Sequence, residues 1–268
     1  MLLALIQDLL RIPGVSVVTT WDRRLDVFPL SQGSACDVVL TSSRIDEQDS
    51  FERLCSESDA AFVIAPEFHG ILAVRVQIAS SRTRLIGCNS AATALCSDKL
   101  RLAGFLVAKG IPTVPTEKFD PACGALNPGE SDSAFPCVIK PRAGAGSLLT
   151  FRVSTRTELA ERSKQMLSGN PTFEFVRQPF IEGTAVSCAA IVSAGTDHSR
   201  NGPAIDILPP CEQVLSTDGC FRYEGATFPV RRHQQVGDPT PAKPGVSYTA
   251  RSPKKRESTH VSSPGTGN

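Results

Sequence analysis

Residues 135–151, FPCVIKPRAGAGSLLTF, combine the pattern of a covered strand with a lysine and a run of small residues. Cys137, Val138 and Ile139 are apolar, as a buried strand requires, yet Lys140 follows them directly. The loop that comes next contains Ala143, Gly144, Ala145, Gly146 and Ser147. A lysine offsets the charge of a phosphate group, and glycines let backbone N–H groups approach its oxygens closely. This segment therefore suits a nucleoside triphosphate.

The loop matches neither of two common phosphate-binding patterns. It does not fit GxxxxGK[ST], and no GxGxxG follows a first strand. The P-loop and the Rossmann fingerprint are therefore excluded here. Taken alone, the strand, lysine and loop are a weak signal, and their meaning depends on the other segments of the chain.

Length and charge limit the possible functions. A chain of 268 residues with 41% hydrophobic residues is long and apolar enough for one large domain or two smaller ones. Its 28 basic and 27 acidic residues give a net charge of +1, which provides no bulk attraction to nucleic acid or to an anionic membrane. We therefore expect no nucleic-acid partner and no membrane partner, and any charged ligand must be captured locally.

The cysteines and the amino-terminal residues indicate a cytoplasmic protein. Nine cysteines occur without a CxxC pair, which favours reduced and mostly core cysteines over a zinc or disulfide framework. Residues 1–6 are apolar but lack a basic n-region and a cleavage site, so we interpret them as part of an amphipathic helix rather than a signal peptide. No stretch approaches the roughly 20 apolar residues of a membrane span.

Helical and strand patterns alternate in the first 88 residues. Helices are predicted at about 2–11, 46–57 and 66–80, and strands at about 15–19, 37–41, 61–65 and 84–87. This alternation is typical of a parallel sheet with helices on its faces. We therefore predict a small α/β domain over residues 1–88.

A second helix and strand system follows. Ser97 is the expected N-cap of a helix that ends at Gly110, before Pro112. The later predicted elements are strands at about 137–140 and 151–153, a helix at about 156–168, and strands at about 173–181, 186–193, 205–207, 212–216 and 220–223. This part has the pattern of an α+β domain, so the fold class is α/β plus α+β.

Residues 231–268 differ in character from the rest of the chain. They are rich in Pro, Ser, Thr, Gly and basic residues and have almost no apolar periodicity. Such a segment buries too little apolar surface to offset its ordering entropy. We therefore predict a disordered carboxyl-terminal tail.

Three segments, in their order and spacing, resemble the ATP-grasp superfamily. They are SDKLRLAGFLVAKGIPTVP, which contains Lys99, FPCVIKPRAGAGS, which contains Lys140, and FVRQPFIEGTAVSCAAIV. The resemblance implies two α+β lobes that clamp ATP, with residues 89–230 as a partial ATP-grasp domain. It also implies that residues 1–88 are the small α/β domain that precedes the grasp in this superfamily.

The resemblance implies a role for several residues. Lys99 and Lys140 match the two lysines that touch the nucleotide phosphates, although Lys99 could equally be a surface lysine in a first helical turn. The phosphate-covering loop is matched by Ala143, Gly144, Gly146 and Ser147. Gln178, Phe180 and Ile181 match the hinge strand that pairs with and flanks adenine, and Phe180 could instead be plain core.

A narrower resemblance concerns the segment LPPCEQVLSTDGCFRYEGATFPV. It is similar to ATP-dependent carboxylate–amine ligases of the tyramine–glutamate ligase type, in the residues Gln213, Tyr223, Gly225 and Pro229. These residues could also be strand and turn residues without contact to a substrate. The resemblance implies joining of a carboxylate to an amine through an acyl phosphate; the sequence does not identify either substrate or any catalytic residue.

The sequence departs from the family pattern at the ribose and metal positions. Many family members hold the ribose hydroxyls with a Glu where this chain has Ala185, so Glu182 is the candidate. The family implies Mg²⁺ beside the phosphates, which requires hard oxygen ligands. No strand pair with Asp or Glu followed by Glu-x-Asn comes after Pro229, and Asp238 and Glu257 lie in the polar tail. The sequence therefore gives no metal ligand.

Several interpretations stay open at this point. An opening strand before the first helix and the metal-binding strands are both missing, which suggests a degenerate relative or a frameshift near Arg231. The chain is then an impaired ATP-dependent ligase, a non-catalytic nucleotide-binding or interaction module, or an α/β protein that binds no nucleotide.

Overall fold

The computed structural model describes residues 2–25, 28, 36–123, 134–169, 172–193 and 204–228. The described residues all belong to one compact unit. The predicted disordered tail lies outside the described residues, as do Pro229, Asp238 and Glu257. The predicted domain boundary near residue 88 falls within the compact unit and stays a prediction.

The amino-terminal part alternates helices and strands, as the sequence predicts. Its elements are α1 (Leu2–Leu9), β1 (Val17–Asp22), β2 (Cys36–Thr41), α2 (Arg44–Glu57), β3 (Ala60–Ala61), a 3₁₀ helix (Phe68–Gly70), α3 (Ile71–Arg82), β4 (Arg84–Leu85) and α4 (Ser90–Cys96). Strands β1 and β2 pair in parallel, and so do β3 and β4. The predicted parallel pairing is confirmed and takes the form of two separate strand pairs in the described residues.

The helix predicted at about 66–80 begins later than expected. His69 and Gly70 have positive φ angles of 52° and 71°, so the chain leaves helical geometry between the 3₁₀ helix and α3. Most non-glycine residues avoid a positive φ, so a histidine in the sequence does not indicate that the chain leaves helical geometry there. The helix α4 was not predicted; it begins where the Asn89 side chain accepts a hydrogen bond from the Ala92 amide at 2.8 Å.

The second part contains one helix followed by mixed strands and a further helix. Its elements are α5 (Lys99–Ala108), β5 (Glu117–Phe119), β6 (Cys137–Pro141), β7 (Phe151–Val153), α6 (Arg156–Gly169), β8 (Phe175–Pro179), β9 (Val186–Ser187), β10 (Ala190–Ser193), β11 (Ala204–Ile207), β12 (Cys211–Leu215) and β13 (Tyr223–Thr227). Strands β5, β8, β6 and β7 form an antiparallel sheet in that order. The fold class, α/β plus α+β, is confirmed.

Three strand predictions differ from the structure. The strand expected at about 186–193 is divided into β9 and β10, which join different sheets. The strand expected at about 220–223 is a turn, and β13 starts at Tyr223 instead. The short strand β5 was not predicted; three residues are too few for a clear alternation of apolar and polar positions.

The main hydrophobic core lies between the four-stranded sheet and α6. Its buried residues are Cys137, Ile139, Phe151, Val153, Leu159, Met166 and Phe175. Successive side chains of a strand point to opposite faces of the sheet. Because Cys137 and Ile139 of β6 face this core, Val138 and Lys140 take the opposite face. The core therefore determines which side of the sheet carries the lysine.

The prediction that the cysteines are mostly core is wrong. All nine are free, but only Cys55 and Cys137 are buried. Cys96 ends a helix, and Cys188 lies between two short strands, so apolar neighbours in the sequence did not imply burial. In the part of the chain that the structure describes, no group of three or more His, Cys, Asp or Glu residues could hold a metal ion. None of the helices in that part is long and apolar enough to cross a membrane.

Candidate functional site

One face of the four-stranded sheet carries polar and cationic side chains. Lys140 of β6 lies opposite Val176 of β8, and Val138 lies opposite both Gln178 and Arg152. Residues directly opposite each other in antiparallel strands share a face of the sheet. Lys140, Arg152 and Gln178 are therefore on the same side, away from the α6 core.

Lys99 and Lys140 line one cavity of about 200 Å³. The loop that follows β6 forms another wall of the cavity through Ala143, Gly144 and Ser147. Both lysines are half-buried. The two lysines are about 40 residues apart in the sequence, and the loop follows the second of them. The structure brings the lysines and the loop together in one cavity, and the sequence predicted that they share a site.

The two lysines are in an environment that disfavours positive charge. Burial lowers the pKa of Lys140, and the neighbouring charge of Lys99 lowers it further. Burial also lowers the pKa of Lys99, although the negative charges of Glu67 and Asp98 act in the opposite direction. Among the described residues, Lys140 has no ion-pair partner. An anionic ligand would offset both effects, so the arrangement has the electrostatics of an anion-binding site.

The start of α5 holds Lys99 in place. The Asp98 carboxylate accepts hydrogen bonds from the amides of Leu100 at 3.1 Å and Arg101 at 3.0 Å. Asp98 is therefore the N-cap, and the prediction of Ser97 is wrong, because Ser97 has helical angles and ends α4. The Lys99 ammonium donates to the Gly144 carbonyl at 2.8 Å. An ammonium has three donors, so two remain for a ligand.

Arg142 connects the start of α5 with the strand that carries Lys140. Its guanidinium donates to both Asp98 carboxylate oxygens, at 2.9 Å and 2.6 Å, and to Glu174 at 2.9 Å. The contact between the two side chains lowers the pKa of Asp98 below its ordinary value and raises the pKa of Arg142 above its ordinary value. The Arg142 carbonyl also accepts from the Lys99 amide at 3.0 Å. The paired charges fix the two lysine-bearing segments relative to each other.

The loop requires glycine where it passes the amino-terminal part of the chain. Gly144 has φ +111°, and a Cβ at this position would lie 2.4 Å from Cε1 of Phe68. Phe68 stacks in turn on Phe173, with ring centroids 5.7 Å apart. The sequence did not identify Phe68, Asp98 or Arg142 as site residues. Phe68 and Arg142 act through contacts with distant segments, which nothing local marks, whereas Asp98 is also a local helix cap next to the predicted Ser97.

The predicted hinge residues lie towards the other end of β6. The Phe180 amide donates to the Pro136 carbonyl at 3.0 Å, and Pro136 is four residues, or roughly 13 Å of extended strand, from Lys140. The Arg152 guanidinium lies over the Phe180 ring at 4.4 Å from its centroid. Gln178 Nε2 donates to Thr116 Oγ1 at 2.7 Å. These residues do not line the cavity that holds the lysines.

Two further hinge candidates and the hairpin candidates have exposed or main-chain roles. Ile181 is 56% exposed, and Glu182 is also exposed. In the β12–β13 hairpin the Gln213 amide donates to the Ala185 carbonyl at 2.8 Å. Tyr223 is 63% exposed and Gly225 has φ +157°. The roles assigned to these residues from the family resemblance stay predictions.

Two family matches cover most of the chain. Residues 15–93 match the pre ATP-grasp 3 domain, and residues 96–238 match the ATP-grasp domain. The second match alone spans more than half of the 268 residues. No curated protein matches the chain.

The structure is similar to those of two solved enzymes. The L-amino acid ligase from Bacillus licheniformis has 18% identity and a TM-score of 0.59, over 82% of this chain and 50% of that chain. The N5-carboxyaminoimidazole synthetase from Staphylococcus aureus, complexed with ADP, has 17% identity and a TM-score of 0.53, over 81% of this chain and 52% of that chain. These similarities show a shared fold, and the present chain spans about half the length of each relative.

Proposed function

Because this chain belongs to the ATP-grasp family, we propose that the cavity around Lys99 and Lys140 binds the phosphate groups of ATP. The observation that carries the proposal is the placement of two half-buried lysines in one cavity beside a glycine-containing loop. Burial disfavours the charged forms of both lysines, the charge of Lys99 further disfavours that of Lys140, and a triphosphate would favour the charged forms. The site would hold the phosphates by charge and by hydrogen bonds from the lysines.

We assign the adenosine part of the nucleotide to the hinge after β8. The assigned residues are Gln178, Phe180, Ile181 and, for the ribose, Glu182. Phe180 supports this assignment because it follows Gln178 on the lysine-bearing face of the sheet. The Phe180 amide is committed to Pro136, so adenine pairing falls to other main-chain groups of the hinge.

For the reaction we propose ATP-dependent joining of a carboxylate to an amine, in the cytoplasm. Family membership supports this class, and the two structural relatives are named a ligase and a synthetase. Lys99 and Lys140 would hold the phosphates and offset charge that develops on the transferred group. The tyramine–glutamate ligase type is the narrower form of the proposal, based on the sequence resemblance at Gln213, Tyr223, Gly225 and Pro229.

The residues described by the structure do not fit the Mg²⁺ that the family implies. Mg²⁺ binds through carboxylates and other oxygen ligands, and no cluster of three or more candidate ligands occurs among those residues. We therefore assign no metal ligand and no catalytic step to a metal. A nucleotide-binding module without turnover is the alternative function.

Isothermal titration with ATP, followed by an assay of ADP release, tests the proposal and separates the two functions. We expect ATP to bind to the wild-type protein and to bind much more weakly to a Lys140→Met variant. ADP release that depends on both a carboxylate and an amine from a substrate panel would support the ligase. Binding without such release would support the module, and a flat titration of the wild-type protein would refute both.

A further inference from the structure

The turn between β12 and β13, residues 216–222, is held together by its own side chains, and we refer to it as the clasp. The Asp218 carboxylate accepts hydrogen bonds from the Ser216 hydroxyl at 2.7 Å, the Cys220 amide at 3.1 Å and the Arg222 guanidinium at 2.5 Å. The Ser216 amide donates to the Arg222 carbonyl at 2.8 Å. Ser216 is buried. The clasp therefore has a defined shape rather than that of a free surface loop.

The clasp contacts strand β7 and two elements of the proposed nucleotide site, the phosphate loop and the hinge. The Gly219 carbonyl accepts from the Arg152 amide of β7 at 2.7 Å. The Phe221 carbonyl accepts from the Ser147 hydroxyl of the phosphate loop at 2.6 Å. The Phe221 ring lies 6.2 Å from the ring of Phe180 in the hinge. One residue, Phe221, thus touches both the proposed phosphate loop and the proposed adenine hinge.

The backbone at the contact between clasp and loop is in an uncommon conformation. Phe221 has φ +54° and Ser147 has φ +59°, and neither residue is a glycine. Non-glycine residues keep such angles only where the surrounding structure determines them. The two residues meet through one hydrogen bond, so each helps to fix the conformation of the other.

We propose that Phe221 is a positioning residue that holds the phosphate loop and the hinge in the arrangement that binds a nucleotide. Its carbonyl fixes the loop through Ser147, and its ring fixes the Phe180 ring. Asp218 acts indirectly, by maintaining the shape of the clasp. This inference rests on the proposed ATP binding. It adds a connection between the two ends of the nucleotide site.

The two contacts of Phe221 can be tested separately with two ligands, ATP and inorganic tripolyphosphate. Ser147→Gly removes the hydroxyl but tolerates the positive φ, so both ligands should bind about 2- to 12-fold more weakly, as for the loss of one hydrogen bond. Phe221→Leu keeps the carbonyl and removes the ring. This variant should bind ATP more weakly than wild type, and its affinity for tripolyphosphate should stay within twofold of wild type. A merely structural role would weaken both ligands equally in both variants.

A second measurement tests the loop without any ligand. Hydrogen exchange of the amides of residues 143–150 should be faster in Ser147→Gly and in Asp218→Asn than in wild type. The effects of these two changes on ATP affinity should not add in the double variant, because both act through one contact. Asp206 is an exposed carboxylate on β11, so Asp206→Asn is the matched control. It should change neither the hydrogen exchange of the loop nor the affinity for ATP.

The outcomes distinguish this inference from the proposed function. If the wild-type protein binds ATP but Asp218→Asn is indistinguishable from Asp206→Asn in both measurements, the positioning role of the clasp is overturned and the proposed function stands. Equal weakening of ATP and tripolyphosphate by Phe221→Leu would also overturn it. Wild-type protein that binds neither ligand would refute the proposed function, and the positioning role would fall with it.

Discussion

Replacing Lys140 with methionine should weaken ATP binding without weakening the fold. The side chain is half-buried, and its pKa is lowered first by burial and then by the charge of Lys99. The folded protein therefore disfavours the charged lysine, whereas an unfolded chain solvates it fully. Methionine has a similar length and carries no charge, so it removes the phosphate contact and the unfavourable charge together.

The size of the binding effect follows from the contact that is lost. A hydrogen bond to a charged group contributes about 1.5–3 kcal/mol. Because 1.4 kcal/mol corresponds to a factor of ten, we expect the Kd for ATP to rise about 10- to 150-fold in Lys140→Met. The thermal midpoint of the ligand-free variant should equal or exceed that of wild type at neutral pH.

The pH dependence gives a further check on the sign of the stability effect. Below the lowered pKa of Lys140 both the folded and unfolded states are protonated, and the unfavourable charge is fully present. Between that pKa and the ordinary value of 10.5, the unfolded state binds more protons, so wild-type stability from this group rises with pH. The advantage of Lys140→Met in thermal midpoint should therefore shrink as the pH rises through this window.

Titration calorimetry for ATP and thermal unfolding at neutral and alkaline pH are the two assays. Lys164→Met is the matched control, because Lys164 is exposed on α6, which packs on the opposite face of the sheet. It should change neither ATP affinity nor the midpoint beyond error. A Lys140→Met variant with wild-type ATP affinity, or with a clearly lower midpoint, would refute the reasoning.

Three further predictions concern the segments around the lysines and the core. Gly144→Ala should weaken ATP binding, because its Cβ would meet Phe68 and its φ is +111°; titration calorimetry measures this, and unchanged affinity would contradict the loop geometry. Asp98→Ala should lower the free energy of unfolding by at least about 1 kcal/mol through the lost helix cap and the unpaired Arg142. Because the pKa of Asp98 is lowered, the deficit measured by denaturant unfolding should shrink as the pH falls through that pKa, and a constant deficit would argue against the ion pair. Ile139→Ala should lower the free energy of unfolding by about 2–5 kcal/mol in the same assay, and a loss under about 1 kcal/mol would contradict the placement of Ile139 in the core.

The parts of the site that depend on local sequence could be predicted. Lys140 and the loop lie within a few residues of each other, so the sequence could place them in one site; their role in phosphate binding stays a prediction. The face of the sheet on which Lys140 lies was not predicted, because Cys137, Val138 and Ile139 are all apolar and show no alternation. By contrast, the pairing of Arg142 with Asp98 and the contact of Phe68 with Gly144 join residues that are distant in the sequence. No periodicity or composition of one segment encodes such contacts.

The mispredicted strand at about 220–223 has a similar cause. Cys220, Phe221 and Tyr223 are apolar or aromatic and lie within four residues, which is typical of a strand. Phe221 has a positive φ and its carbonyl accepts a hydrogen bond from Ser147 in a distant loop, a contact that the residues near Phe221 do not encode. The prediction of the residue that caps α5 was wrong for a different reason. Ser97 and Asp98 are adjacent and both are good cap residues, so the sequence does not distinguish between them.

The most direct test of ATP binding at the two lysines is a crystal structure of the protein with a non-hydrolysable ATP analogue. We expect phosphate oxygens within hydrogen-bonding distance of the ammonium groups of both Lys99 and Lys140, under the loop of residues 143–147. We also expect the adenine beside Phe180 and Ile181. An analogue bound with its phosphates elsewhere on the protein would refute ATP binding at the two lysines.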